Sequence, residues 1–87
     1  MPEGIGAKVK EGVLGIVRGT GDVITGTIDT VKSAVGSALS GAADIASATT
    51  NAAGQAVRGA LEAAGEVGTG VLRVAKGAVV GVIEAVG

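Results

Sequence analysis

The chain has 87 residues but no cysteine, no histidine and no aromatic residue. Without cysteine no disulfide can form, and without histidine the commonest catalytic base and metal ligand are missing. Because no nucleobase can stack on an aromatic ring, the usual single-strand binding modules are also disfavoured. We expect a protein that is not an enzyme and that needs neither a cofactor nor a metal ion.

Net charge and long apolar runs are also lacking. Seven basic and eight acidic residues give a net charge of −1, which does not suggest a strongly basic nucleic-acid binder. The start of the sequence has no apolar stretch typical of a signal peptide. The longest uncharged run, Ile45 to Val57, has thirteen residues and is too short and too polar to span a membrane.

Glycine, in contrast, is abundant, and the apolar residues repeat every eleven positions. One apolar column contains Val13, Ile24, Val35, Ala46, Val57, Gly68 and Val79. Eleven residues complete three turns at about 3.67 residues per turn, so each column stays on one side of a helix. The repeat predicts an all-α chain, although each glycine costs a helix about 1 kcal/mol relative to alanine.

Small residues form a column of their own in this repeat. Its members are Gly15, Gly26, Ser37, Ala48, Gly59, Gly70 and Gly81. A line of small residues lets a second helix approach closely and gain dispersion energy and weak Cα–H···O contacts. We therefore interpret this column as a helix-packing seam.

The fourth repeat is degenerate and suggests where the chain turns. Its large apolar position is occupied by Thr50, among other residues that favour turns and helix N-caps. The sequence thus predicts one domain over 1–87, an antiparallel helical hairpin of two long Gly/Ala/Val-rich helices. Its parts are an N-terminal segment 1–7, helix 1 at 8–46, a turn at 47–51 and helix 2 at 52–86.

Charges agree with this hairpin, but a second interpretation stays open. Folding about residue 49 would bring Lys10 near Glu84 and Lys32 near Glu66. The repeat nevertheless keeps its phase from Val9 onward, so a single long helix is the alternative.

The apolar columns cover much of the circumference of each helix and leave only a narrow polar stripe. An ordinary amphipathic helix buries one face and exposes a polar one. A lone hairpin of these helices would expose a large apolar surface, and such surfaces usually mark sites of assembly. We expect the chain to pack with copies of itself into a large homo-oligomer or a helical polymer.

Residues 8–14, "KVKEGVL", resemble the KTKEGV repeats of synucleins. Perilipins and exchangeable apolipoproteins share the eleven-residue period, and the resemblance implies binding to a lipid surface. The match covers one repeat, and the lysines do not recur. Lipid is therefore the less favoured partner.

The whole chain, beginning "MPEGIGAKVKEGVLG", resembles the major coat proteins of rod-shaped viruses, in particular the bacilliform, clavavirus-type viruses of hyperthermophilic archaea. The resemblance rests on a short chain rich in Gly, Ala and Val. It implies a helical hairpin that coats double-stranded DNA in a helical virion. The alternatives are a lipid-surface protein and a cellular, cytoplasmic helical filament protein.

The half of the hairpin distal to the turn carries the more positive charge balance. Its basic residues are Lys8, Lys10, Arg18, Arg73 and Lys76. Phosphate binding needs local positive charge whatever the total, so we expect these five to contact the DNA backbone. Lys32 and Arg58, nearer the turn, are not expected to do so. The alternative is that all these charges belong to a solvated, salt-bridged stripe.

Overall fold

The computed structural model describes residues 4–68 and 70–87, and over these ranges the chain is all-helical, without a strand. Four helices follow one another: α1 (Gly4–Arg18), α2 (Val23–Ser40), α3 (Ile45–Val67) and α4 (Val71–Val86). The helical class predicted from the eleven-residue repeat is therefore confirmed.

Two aspartates fix the starts of the second and third helices. The Thr25 N–H donates to Asp22 Oδ1 at 3.1 Å, and the Ser47 N–H donates to Asp44 Oδ1 at 3.2 Å. Each aspartate has extended backbone angles and satisfies an N–H that the first helical turn leaves without a partner. The chain therefore breaks before each of these residues and enters a new helix after it.

Two glycines separate the third helix from the fourth. Gly68 and Gly70 have φ angles of 87° and 75°, in the left-handed region that residues with a Cβ rarely adopt. Gly68 ends α3 by donating its N–H to the Ala64 carbonyl oxygen at 2.8 Å. Gly68 is thus the left-handed residue that commonly follows a helix, and the chain changes direction there.

Helices adjacent in sequence run antiparallel, whereas alternate helices pack parallel. Within the first hairpin, Gly12 faces Thr30 and Gly26 faces Ile16. Between hairpins, Gly77 and Gly81 of α4 both contact α2, and the later glycine contacts the later part of α2, so these two helices run parallel. The α3 helix runs parallel to α1 in the same way. The α1–α3 and α2–α4 pairs are the most extensive helix contacts of the described residues.

The core is built from valine on three helices and alanine on the other. Five valines of α1, α2 and α4 are fully buried, and α3 contributes a stripe of alanines. The largest buried apolar side chains are Val9, Val13, Val31, Val35 and Val74, and the alanines of α3 are Ala52, Ala56, Ala60, Ala63 and Ala64. Because alanine is short, α3 lies close to its neighbours, and van der Waals contact replaces the large side chains that usually fill a core.

The structure corrects the bounds of the predicted two-helix hairpin. The turn expected at 47–51 lies inside α3. Non-helical segments of the described chain are 19–22 and 41–44, and α3 ends at Val67 before α4 begins at Val71. The segment 1–7 is helical from Gly4, and residues 1–3 lie outside the described ranges. The physical reason is that Asp22 and Asp44 cap new helices, whereas the polar residues after Ile45 are accommodated on the exposed side of α3.

Candidate functional site

The outward face of α4 is apolar. Leu72, Val79 and Ile83 are 85%, 50% and 63% exposed, and Val86 is also exposed. Helical geometry places the first three within about 40° of one another around the helix axis. Lys76 is the charged residue on this face. We call the four apolar residues Leu72, Val79, Ile83 and Val86 the α4 ridge.

The α4 ridge is exposed because α4 turns its smallest residues toward the core. Gly77 and Gly81 are buried on the opposite side of the helix, together with Val74 and Ala78. A Cβ added to Gly77 would lie 3.0 Å from the Ile24 carbonyl oxygen, so α2 approaches the bare backbone there. The usual amphipathic arrangement, with large apolar side chains inside, is thus partly inverted.

The third helix carries a shallow groove on its own outward face. The groove has a volume of about 670 Å³ and is lined by Ala53, Gly54, Val57, Arg58, Leu61 and Glu62. We call this set the α3 groove. Gly54 leaves open space at the bottom of the groove, because an added Cβ would meet no atom within 4 Å. Val57 and Leu61 form an apolar wall, and the two charged residues lie along the rim.

Three of the five predicted DNA-contacting residues lie at one end of the bundle. Since α1 is antiparallel to α2 and α4 is parallel to α2, the last residue of α1, Arg18, lies at the same end as the start of α4. Arg73 and Lys76 lie in the first two turns of α4, and all three side chains are exposed. We call Arg18, Arg73 and Lys76 the basic end.

Backbone N–H groups add to the positive potential of the basic end. The N-cap residue of α4 is Gly70, which has no side chain that could accept from the first turn. The first turn of α4 also contains no acidic residue. Unsatisfied N–H groups and the helix dipole favour a negative charge at this position. Asp22 is the acid of the neighbouring loop, and its carboxylate caps α2.

Lys8 and Lys10 lie elsewhere, toward the start of α1. Lys8 is exposed beside Thr30 and Ser33 on α2. Lys10 Nζ lies 3.0 Å from Glu66 Oε2 and 4.0 Å from Glu62 Oε1. The hydrogen bond to Glu66 raises the pKa of Lys10 above its ordinary value, and the charge of Glu66 acts in the same direction. The five residues expected at one open end are therefore divided between two places.

The observed ion pairs have different partners from those that the predicted hairpin implies. Lys32 Nζ lies 3.6 Å from Glu84 Oε1, whereas Lys10 pairs with Glu66. The acids and bases are those expected, but parallel packing of α1 with α3 and of α2 with α4 matches them differently. Lys32 is thus neutralised within the chain, as the alternative of a salt-bridged stripe anticipates for this residue.

The predicted seam of small residues does not form one line. Gly59 is buried, and a Cβ there would collide with the Gly6 carbonyl oxygen, while a Cβ on Gly81 would lie 2.8 Å from Val31 Cβ. The remaining members are differently placed. Gly26 faces the Ile16 side chain, Gly15 and Ser37 are exposed, Ala48 is half-buried, and Gly70 lies between two helices. The column is divided because the chain changes helix three times, and the column faces a different side of the bundle in each helix.

Sequence reasoning missed the α4 ridge and the α3 groove. The signal was present, because Gly77 and Gly81 are four residues apart and α3 has alanine or glycine at every core position. Small residues on one face of a helix indicate close helix contact on that face. The large apolar residues must then lie on another face of the helix.

Within 4–68 and 70–87, no three acidic side chains come together in a way that could hold a metal ion. Over the same ranges, no helix combines the length and apolarity needed to cross a membrane.

Comparison with family models, with curated proteins and with solved structures gives no match. The resemblance to virus coat proteins therefore stays a prediction.

Proposed function

We propose that this chain is a structural coat protein that self-assembles into a rod-shaped particle, a virion, around double-stranded DNA. The observation that carries the proposal is the α4 ridge, a row of large apolar side chains on the face opposite the core. Complete burial of such a side chain is worth about 1.5–3 kcal/mol. Contact between copies of the chain would gain this free energy, and a monomer forgoes most of it.

The basic end supports contact with a polyanion. Arg18, Arg73 and Lys76 lie at the end of the bundle where α4 begins, and the basic side chains and the first-turn N–H groups of α4 both attract phosphate. The chain has no aromatic side chain on which an unpaired base could stack, which favours a duplex over a single strand. Contacts confined to the backbone would coat any DNA sequence, as packaging requires.

A lipid surface is the second candidate, because the same ridge favours it. An exposed apolar face that carries a lysine is the kind of surface that lies at a bilayer interface. However, the rim of the ridge is not rich in basic residues, as such helices usually are. A cellular filament without nucleic acid is the third possibility, and it would use the ridge in the same way as the coat.

Electron microscopy of the purified protein, with and without double-stranded DNA, tests the proposal. We expect rods that form with DNA and protect it from nuclease. Rods that form equally without DNA and leave added DNA digestible would indicate a cellular filament. Binding to phospholipid vesicles without rods would indicate the lipid-surface function.

A further inference from the structure

We infer that the α4 ridge of one copy seats in the α3 groove of a second copy, so that the chain assembles head to tail. This inference rests on the proposed self-assembly and names the two surfaces that make the contact. The ridge and the groove lie on different helices, and both face outward. A contact between unlike surfaces leaves a free ridge at one end and a free groove at the other, so it can propagate.

The two surfaces fit in shape. The ridge projects Val79 and Ile83 from one side of α4, four residues apart on successive turns. The groove has open space at Gly54 beside the half-exposed Val57 and Leu61, so a branched side chain can enter next to an apolar wall. Ridges that enter grooves are the ordinary way in which two helices pack.

The charges also fit, and they favour this contact over parallel packing of two ridges. Lys76 lies on the ridge, and the rim of the groove carries Glu62 and, one turn earlier, Arg58. Lys10 is held at 3.0 Å by Glu66 but lies 4.0 Å from Glu62, so the Glu62 carboxylate can receive a second cation. Two ridges packed in parallel would instead bring Lys76 against its own copy.

Two variants of the full chain, one for each surface, test the contact. Ile83→Glu places a charge on the ridge. Gly54→Leu fills the groove, at a position where a side chain meets no atom of its own chain. Gly36→Leu is the matched control, since Gly36 on α2 also has open space around it. In analytical ultracentrifugation, we expect each surface variant to raise the concentration needed for assembly by about tenfold or more, and the control to leave it unchanged.

Mixing the two surface variants gives the sharpest result. The intact ridge of the Gly54→Leu chain can enter the intact groove of the Ile83→Glu chain, and neither product can extend further. We expect a 1:1 complex of twice the 8.1 kDa chain mass, with no longer species. Circular dichroism of each variant alone checks that its helices are retained.

A charge exchange provides an independent test. Lys76→Glu should weaken assembly, and adding Glu62→Lys to the same chain should restore it. If Lys76→Glu leaves assembly unchanged, or if Glu62→Lys does not restore assembly to the Lys76→Glu chain, Lys76 and Glu62 do not meet and the inference is overturned. Wild-type chains that stay monomeric, or that lose only vesicle binding on Ile83→Glu, overturn it as well.

The inference and the coat function can fail separately. Head-to-tail assembly that never protects DNA supports the contact and contradicts the coat. DNA-filled rods that form equally well from the Gly54→Leu chain support the coat and contradict the contact.

Discussion

Gly81 of α4 packs directly against Val31 of α2: a Cβ added to Gly81 would lie 2.8 Å from Val31 Cβ and 2.9 Å from the Ile28 carbonyl oxygen. The second neighbour is backbone and cannot rotate away. Overpacking of this kind costs about 1–3 kcal/mol, and alanine returns about 1 kcal/mol of helix propensity. We therefore expect Gly81→Ala to lower the free energy of unfolding by up to about 2 kcal/mol. Urea unfolding followed by circular dichroism measures the difference.

Gly36→Ala is the control for that substitution. Gly36 lies within α2, and an added Cβ would meet no atom within 4 Å. Only the helix propensity changes, so a gain of about 0.5–1 kcal/mol is expected. Equal gains from both substitutions would show that α2 and α4 do not pack as described.

Thr27 contributes a buried polar atom to the same α2–α4 contact. Its side chain is fully buried, and its Oγ1 has no hydrogen-bond partner among the described residues. A buried polar group without a partner costs about 1–3 kcal/mol. Thr27→Val replaces the hydroxyl by a methyl group of similar size, and we expect it to raise the free energy of unfolding by about 1–2 kcal/mol.

Thr27→Ser is the matched variant, because it keeps the hydroxyl and removes the methyl group. We expect it to lower the free energy of unfolding by about 1 kcal/mol through lost packing. If Thr27→Val destabilises the chain instead, the hydroxyl has a partner in solution.

The sequence predicts the helical class well, because a repeat of eleven residues is a local property of the chain. It predicts the breaks poorly, although Asp22 with Thr25 and Asp44 with Ser47 have the spacing of an N-cap. The repeat runs through these positions in phase and hides them. Residue spacing within one helix also carries no information about which helix becomes its neighbour.

The candidate surfaces illustrate the same limit. A helix with small residues on one side and large apolar residues on the other can bury either side. In α4, the close approach of α2 to Gly77 and Gly81 decides in favour of the small side. That choice depends on contacts between distant segments, and for this reason the exposed Leu72 and Ile83 could not be predicted from the repeat.

The cap of α3 predicts a pH dependence of stability. Hydrogen bonds from the Ser47 backbone N–H and hydroxyl lower the pKa of Asp44 below its ordinary value of 3.8. A lowered pKa stabilises the fold above the ordinary value, and this stabilisation is lost as the pH falls through the pKa of the folded chain. Asp44→Asn keeps an acceptor oxygen but not the charge. We expect its melting temperature to be lower than that of the wild type at pH 7 and close to that of the wild type at pH 2.

Ser47→Ala refines that test. It removes the hydroxyl donor and keeps the backbone N–H, so the difference in melting temperature between pH 7 and pH 2 should shrink without disappearing. If the melting temperatures of the wild-type and Asp44→Asn chains differ by the same amount at pH 7 and at pH 2, the charge of Asp44 does not have this role.

The basic end predicts a salt dependence of DNA binding. Each phosphate contact that is lost should lower the slope of log affinity against log salt by about 1. Arg18→Gln, Arg73→Gln and Lys76→Gln, made singly, should each weaken DNA binding and flatten this slope. Lys32→Gln should not, because Lys32 is paired with Glu84 at 3.6 Å within the chain. Filter binding to a duplex at several salt concentrations measures both quantities.

Lys76 separates DNA contact from assembly, since it belongs to both the basic end and the α4 ridge. Arg18 lies on α1 and belongs to neither the ridge nor the groove, so Arg18→Gln should flatten the salt dependence of DNA binding while assembly without DNA is unchanged. Arg58→Gln, on the rim of the α3 groove, should leave the DNA salt slope unchanged. If Arg58→Gln flattens the slope and Arg18→Gln does not, the DNA lies along α3 and the basic end has another role.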